Sequence, residues 1–503
     1  MLIRPIREED IEQVIQLFRL NYGDNYAIPE FYDPQWVKRG IYSDNIIWLV
    51  IEEDRRVVAS GAAILNFGDY NDQIAEIGRL VVDPSSGGKG LGRTLFDALV
   101  DASDDRVEFA FGEARTTHIK TQRIFDRVGL VPLGFLPMHY TIQWRESWVL
   151  SGQLFSNGRN LRHAETVELL PQVAPIASLA LSNLGLEPGV RVCAEARPYP
   201  LEDDVHIEPL SGSALVRLLK IEQGRMVDPE VFGGLHIDQG LPHLQTNKAM
   251  YWVASEGGET LGAVGYLHDE PNRSLRIIEL IAYDDRVKGS LLRYAVEKAD
   301  HELKVDLLDC DLSAHSARIQ RTFLELGFLP CAYVPGMVFH NTQRWDVVRM
   351  MKLNVPWDLG PIELTETSQA MFDVVTPAFI SRETNRAHRQ IGCCPSVLDG
   401  FSTVEIDFFQ RACSVYAPAA SSPLPADSLY VVLDGAIISG EQSLQAGTSF
   451  GADTLLLRKP SPQATAQLGA RLLRLTLQDF DALCERYPRL GLKLYRNLAA
   501  ASS

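Results

Sequence analysis

Two periods of apolar residues alternate along the first 150 positions. Helical spacing runs from Asp10 to Leu20, and β-branched or apolar runs predict strands at Ile46 to Ile51, Val57 to Leu65 and Ala75 to Val82. The polar turn Glu53-Asp54-Arg55 joins the first two strands. The third strand ends in Asp83-Pro84, passes into glycines, and gives way to helical spacing from Arg93 to Ala102. Such an order of helices and strands predicts an α/β domain over residues 1–150.

The same signals return in register between about 200 and 350. Trp48-Leu49-Val50 followed by Ser60-Gly61-Ala62 has a counterpart in Tyr251-Trp252-Val253 followed by Leu261-Gly262-Ala263. Ala75-Glu76-Ile77 is echoed by Ile278-Glu279-Leu280. Gln122-Arg123-Ile124-Phe125 leading to Gly129-Leu130-Val131-Pro132 matches Gln320-Arg321-Thr322-Phe323 leading to Gly327-Phe328-Leu329-Pro330. Residues 201–352 therefore read as a second copy of the first fold.

Residues 151–200 read as a structured connector. Helical spacing covers Ala164 to Leu184, with breakers at Glu187-Pro188-Gly189 and Pro198-Tyr199-Pro200. A third domain occupies 360–503. Short strands separated by glycines from Ser428 to Leu457 suggest a small β-barrel or jelly roll, and Leu477 to Leu498 has helical spacing.

Composition narrows the classes further. At 503 residues the chain is long enough for about three domains. No apolar run approaches the roughly 18 residues of a membrane span, so no membrane segment is expected. The opening MLIRPIREED carries charges where a secretory signal would need an apolar stretch, and a cytoplasmic location is the expectation. A net charge of −17 disfavours nonspecific binding to nucleic acid phosphates and mildly favours cationic small molecules. The seven cysteines are scattered without CxxC spacing, so reduced thiols and no metal site are expected; adjacent Cys393-Cys394 supply too few ligands for one.

The residues that carry chemistry follow the strand Ala75 to Val82. The turn Gly87-Gly88-Lys89-Gly90-Leu91-Gly92 opens a helix, where unsatisfied backbone N–H groups face outward and favour an anion. Glycine at 90 and 92 lets a diphosphate approach the main chain and accepts positive φ. Lys89 and Arg93 can add charge. Dinucleotide binding competes for the same glycines, but that fingerprint needs an early βα turn and an acidic residue about 20 positions on, whereas this turn follows three strands.

The stretch Ala75 to Leu99 resembles motif A of the GNAT superfamily of acyl-CoA N-acyltransferases, Gln/Arg-x-x-Gly-x-Gly/Ala after a central strand. Gly87 stands in the Gln/Arg place and is followed by Gly90 and Gly92. The likeness extends over the first block, including His118 to Gly129, which looks like the last helix of that fold. It implies tandem GNAT-like α/β (α+β) folds with central mixed sheets. It also implies acetyl-CoA as acyl donor, with its diphosphate on Gly87 to Arg93 and its pantetheine arm on the amides of Leu80, Val81 and Val82.

By the same resemblance Glu76 takes the place of a general base that removes the ammonium proton of an acceptor amine. An edge or solvent-facing glutamate at a strand start is the alternative. Many members carry a tyrosine four residues before the closing glycine to protonate the departing thiolate, and here that place holds Phe125. Solvent, His118 or Tyr140 could supply the proton instead, although a histidine at a helix start often serves as a cap. Glu113 is either a second acid or base of the acceptor cleft or a charge on a solvent-facing strand.

In the second block, Tyr283-Asp284-Asp285-Arg286-Val287-Lys288-Gly289-Ser290 retains one glycine, so the cradle is gone. This block reads as a degenerate GNAT-like fold that walls the acceptor cleft. Ser428 to Ala436, Leu444 to Gly447 and Phe450-Gly451 resemble the β-roll of cyclic-nucleotide-binding domains, with flanking helices. Where that family has glutamate after Phe-Gly this chain has Ala452, and Pro462-Gln463 replaces the arginine before Ala464-Thr465. Losing that arginine removes a charge-assisted contact of about 1.5 to 3 kcal/mol, so cyclic AMP is not the expected ligand.

These readings predict an N-acyltransferase acting on a primary amine of a small molecule or a protein lysine, with regulation or homo-oligomerisation through the third domain. The alternative is a noncatalytic acyl-CoA sensor or scaffold.

Overall fold

A computed structural model describes the chain apart from residues 25, 27, 67–72, 143, 164–165, 188, 202–204, 211–228, 233–248, 387–395, 402, 418–421 and 503. Cys393 and Cys394 lie outside the described residues, as does the breaker Pro188. The chain divides into two compact units. One comprises Met1–Leu353 with Asp358–Ala378, the other Asn354–Trp357 with Phe379–Ser503.

The first unit begins β1 (Leu2–Pro5), α1 (Ile11–Tyr22), α2 (Pro34–Ile41), β2 (Ile46–Glu53), β3 (Arg56–Asn66), β4 (Ile74–Val82), α3 (Leu91–Asp104), β5 (Phe109–Arg115), α4 (Lys120–Val128), β6 (Val131–Thr141) and β7 (Arg145–Leu154). Apolar faces of the sheet alternate as strand geometry demands. Ala62 and Ile64 meet Phe18, Phe31 and Trp36 from the α1–α2 side, while Ala63 and Leu65 meet Phe96 and Leu99 of α3.

The connector contains α5 (Ser156–Leu161), β8 (Val167–Leu169), α6 (Ala174–Asn183) and β9 (Val190–Val192). Its helix starts ten residues later than the sequence pattern suggests. Val167 to Leu169 pair with Val190 to Val192 as parallel strands, and tertiary pairing overrides local helical spacing there.

The second half of this unit continues with β10 (His206–Pro209), β11 (Val231–Phe232), β12 (Met250–Glu256), β13 (Glu259–Asp269), β14 (Ser274–Ala282), α7 (Arg286–His301), β15 (Leu307–Ser313), α8 (Ala317–Glu325), β16 (Leu329–His340) and β17 (Gln343–Leu353). One large mixed sheet runs β1-β2-β3-β4-β5-β7-β6-β16-β17-β15-β14-β13-β12-β10, with β11 paired to β15. Read outward from the β6–β16 seam, the two halves have the same strand order, and among the described residues the only parallel neighbours in each are β4–β5 and β14–β15.

Reciprocal buried arginines tie the halves together across that seam. Arg145 of β7 reaches Asp306 just before β15 at 3.4 Å and donates to the Asn272 carbonyl, while Arg344 of β17 reaches Glu108 just before β5 at 2.6 Å. Arg145 also donates to the carbonyls of Met138 and His139, and Arg344 to those of Gly336 and Met337, so neither guanidinium is buried unsatisfied.

The second unit contains two four-stranded sheets. One has the order Ser414–Tyr416, Arg471–Thr476, Ser428–Asp434, Ser449–Phe450; the other Ser422–Pro423, Thr465–Ala466, Ala436–Ser439, Gln442–Gln445. Every described pairing in them is antiparallel. The C-terminal helical stretch is two helices, Leu477–Arg486 and Pro488–Ser502, divided at Pro488 because proline lacks the N–H that a continuing helix would use. Among the described residues no helix is long and apolar enough to cross a membrane, and no group of three or more His, Cys, Asp or Glu side chains could hold a metal.

Candidate active site

Strand β4 delivers the chain to the glycine turn through an Asp-Pro step. Asp83 accepts hydrogen bonds from the Ser85 backbone N–H at 2.8 Å and from its hydroxyl at 2.6 Å, which pull the carboxyl below its ordinary range. The turn that follows has Gly88 at φ +84° and Gly90 at φ +77°, with open space where a Cβ would stand on either. Gly90 is the N-cap of α3 and supplies no side-chain cap. Thr94 makes the first intrahelical bond, to the Gly90 carbonyl at 3.1 Å, which leaves the N–H groups of Leu91, Gly92 and Arg93 without a helical acceptor.

Gly92 does not take the positive φ expected of it: it lies within α3, where a Cβ would meet Ile124 and Leu80 at 3.4 Å. Lys89 pairs with Glu53 at 3.1 Å and Arg93 with Asp97 at 3.5 Å, both half-exposed and able to swing toward an anion. The departure at Gly87 costs nothing in the main chain, because the donors belong to the backbone that follows it. The turn thus has the room and the donors that a diphosphate requires.

Strands β4 and β5 pair only from Ile74–Phe109 to Glu76–Phe111 and then part. Within β4 the register against β3 shifts by one residue between Gly78 and Val81, at Arg79, whose φ is +54°. This bulge aims Arg79 to the same side as Glu76, a position that strict alternation would deny it. Leu80 and Val82 turn toward α3, Val81 toward α1, and the Val82 carbonyl accepts from the Asn21 amide at 3.1 Å.

A cleft open to solvent fills the gap between the parted strands. It gathers Glu76, Arg79, Glu113, His118 and Tyr140, so the three side chains proposed for proton transfer line one space. Glu76 is 9% exposed and lies 2.7 Å from Arg79. Burial works against the Arg79 charge, but Glu76, aided by the Tyr26, Tyr140 and Glu113 side chains, outweighs it and keeps the guanidinium protonated.

The solvent-facing alternatives for the two glutamates do not hold. Glu76 sits in a central strand, and Glu113 of β5 is only 9% exposed, 3.5 Å from Arg349 and 3.9 Å from the His139 ring. His118 is not a cap either: α4 begins after Ile119 with no side-chain cap bond. Burial, then the nearby Arg115 charge, pushes the His118 pKa down, and its buried Nδ1 has no hydrogen-bond partner among the described residues. Phe125 is 2% exposed and packs on Phe96 with ring centroids 5.1 Å apart, so the usual tyrosine place carries core packing.

Arg79 and Arg115 also line the cleft, though neither is among the expected site residues, and Arg115 holds Glu146 by two 2.7 Å bonds. Arg115 stands two positions from Glu113 on β5, and period-two alternation from that glutamate would have placed it on the cleft face. Arg79 has no such signal, because its direction depends on the bulge.

The corresponding places in the second half are filled by the chain itself. A Cβ on Gly289 of α7 would stand 2.0 Å from the Pro200 carbonyl oxygen, and Ser290 donates to the Leu201 carbonyl at 3.4 Å. Strand β11 pairs with Asp311 and Leu312 of β15, just beyond the point where β14 and β15 separate. Lys288 is tied to Glu230 at 2.6 Å and to Asp285 at 2.9 Å. Among the described residues the second half therefore keeps the strand order, with Pro200, Leu201 and β11 occupying these places.

The family model described as Acetyltransferase (GNAT) family matches residues 11–129. No curated protein matches the chain. Among solved structures it is similar to a ribosomal-protein-alanine N-acetyltransferase from Brucella melitensis, at 17% identity over 31% of this chain and 100% of that one, TM-score 0.28. It is also similar to a variant of the spermidine N-acetyltransferase from Vibrio cholerae, at 18% identity over 30% of this chain and 92% of that one, TM-score 0.27. A GNAT-family acetyltransferase from Streptococcus pneumoniae matches at 15% identity over 31% of this chain and 99% of that one, TM-score 0.28. Over residues 11–129 the chain carries a GNAT-type acetyltransferase domain, of a family that takes its acyl group from acetyl-CoA.

Proposed function

We propose that the chain is an N-acyltransferase that moves an acetyl or similar acyl group from acyl-CoA to a primary amine of a small molecule or a protein lysine. The observation that supports this most is the succession along β4: its parted edge from Glu76 to Leu80 lines the pocket that also holds His118 and Tyr140, and the strand then runs into the open glycine turn at the start of α3.

In this reading the N–H groups of Gly88 to Arg93 hold the diphosphate, and Lys89 and Arg93 add charge. The main chain at Leu80 to Val82 orients the pantetheine arm and polarises the thioester carbonyl. Glu76 takes a proton from the acceptor ammonium so that the neutral amine can attack, while Arg79 fixes the carboxylate. As the new C–N bond forms and the C–S bond breaks, the departing thiolate receives a proton from Tyr140, His118 or solvent. The degenerate second half walls the acceptor side, and the C-terminal unit serves regulation or self-association without cyclic AMP, which should leave the melting temperature unchanged.

Phe125 in place of a tyrosine favours one second reading, a noncatalytic acyl-CoA sensor or scaffold. Titration calorimetry with acetyl-CoA, combined with thiol release over a panel of primary amines, separates the two. Binding with turnover supports the transferase, binding without turnover on any amine supports the sensor, and no binding removes both.

A further inference from the structure

Glu113 lines the cleft, and a cation beside it comes from the other half of the sheet. Arg349 of β17, 1% exposed, places Nη1 3.5 Å from the Glu113 carboxylate although 236 residues separate them. Its Nε and Nη2 bond Asp311 at 2.8 and 3.0 Å, and Asp311 in turn accepts from Arg276 at 2.6 Å. Arg276 also lies 3.5 Å from Asp309. Signs alternate along this buried row from Arg276 through Asp311 and Arg349 to Glu113, and His139 closes its far end at 3.9 Å.

The repeat shows that the arrangement is one-sided. Arg349 stands opposite Asp311 in the β15–β17 ladder, whereas the residue opposite Glu113 in the β5–β7 ladder is Leu150, a core side chain. Each half thus has an acidic residue at this place on its fifth strand, but only the second half carries an arginine facing it. Because Asp311 grips two arms of the guanidinium, the third is aimed at Glu113 and cannot wander. The second half has its own mouth filled by Pro200 and β11, so its contribution is to the cleft of the first.

We propose that Arg349 is a positioning residue for the first-half cleft: it fixes the Glu113 carboxylate on the acceptor side, where Glu113 recognises the ammonium group of a cationic amine. This rests on the transferase reading above. The second half then acts in acceptor recognition and has no part in holding the acyl donor.

The test uses the full chain and its best amine from the panel, with wild type, Arg349→Met, Arg349→Lys, Glu113→Gln and the double variant Glu113→Gln/Arg349→Met. Arg349→Met is expected to raise the amine KM roughly tenfold with acetyl-CoA affinity unchanged, and Arg349→Lys to recover most of that loss. The double variant should be no worse than Glu113→Gln alone, since both act through one carboxylate. Amine KM within twofold of wild type in a folded Arg349→Met protein overturns the proposal alone, as do losses that multiply in the double variant. If Arg349→Met does not fold, Arg349→Lys decides, with an amine KM shift of about threefold supporting the proposal and none overturning it. Failure of every amine to turn over removes the proposal together with the reading beneath it.

Discussion

Among the described residues, Gly134 of β6 and Ala332 of β16 are the one paired position that joins the two half-sheets, and a Cβ on Gly134 would stand 2.2 Å from that of Ala332. The same Cβ would approach the Cys331 carbonyl oxygen to 2.8 Å. Close passage of two backbones is therefore what allows one sheet to run through both halves.

Gly134→Ala should lower stability by about 1 to 3 kcal/mol, because the seam must open to admit the methyl group. Adding Ala332→Gly should restore part of the loss, the carbonyl contact remaining. Six of the seven tryptophans precede residue 353, so urea unfolding followed by tryptophan fluorescence reports on this unit. A variant as stable as the parent would mean that the seam is not closely packed.

Replacing Gly90 tests the cradle. Gly90→Val should cut acetyl-CoA affinity at least about tenfold, since the side chain enters the space above the amides and a left-handed residue costs roughly 1 to 2 kcal/mol. Gly185, at φ +65° with equally open surroundings in the connector, provides the control. Gly185→Val should carry similar backbone strain and leave affinity untouched; equal losses in both would show strain alone at work.

Removing the carboxylate at position 76 separates chemistry from binding. Glu76→Gln keeps a hydrogen-bonding group beside Arg79 but cannot accept a proton, so kcat should fall by about a hundredfold or more while the acetyl-CoA Kd stays within roughly twofold. A kcat within threefold of the parent would leave Glu76 as a partner of Arg79 only.

The half-buried His118 should make stability fall on acidification. Its native pKa lies below the ordinary value of 6.5, chiefly through burial, so near pH 6 and below the unfolded chain binds the proton more readily. Its contribution is nil above pH 7, where both states are neutral, and grows more unfavourable as pH falls through 6.5 toward the native pKa. Melting temperatures of wild type and His118→Asn should therefore run parallel above pH 7 and converge or cross below 6.5. Parallel curves down to pH 5 would show His118 protonating as easily in the native protein as in the unfolded chain.

How far the sequence reaches depends on the range of each interaction. The strand Ala75 to Val82, the glycines and the helix after them form a continuous local signal, since φ preference and hydrophobic period act within a few residues. The repeat is equally visible, because matching runs in matching order need no three-dimensional information. The Ala164 to Leu184 pattern misleads for the opposite reason: Val167 to Leu169 take strand form only because Val190 to Val192 lie beside them.

By itself, then, the sequence determined the matching succession of elements in two similar halves, the glycine turn at Gly87 to Gly92, the carboxylate at Glu76 and the lack of a tyrosine at Phe125. Tertiary structure alone decided where Arg79 points, since one inserted residue reverses the facing of all that follows in a strand. It alone decided that Pro200 and β11 fill the second mouth, and that Arg349 meets Glu113 across 236 residues. Contacts between distant segments come from the packing of whole sheets, and no local pattern of polar and apolar residues encodes which distant strand arrives at which edge.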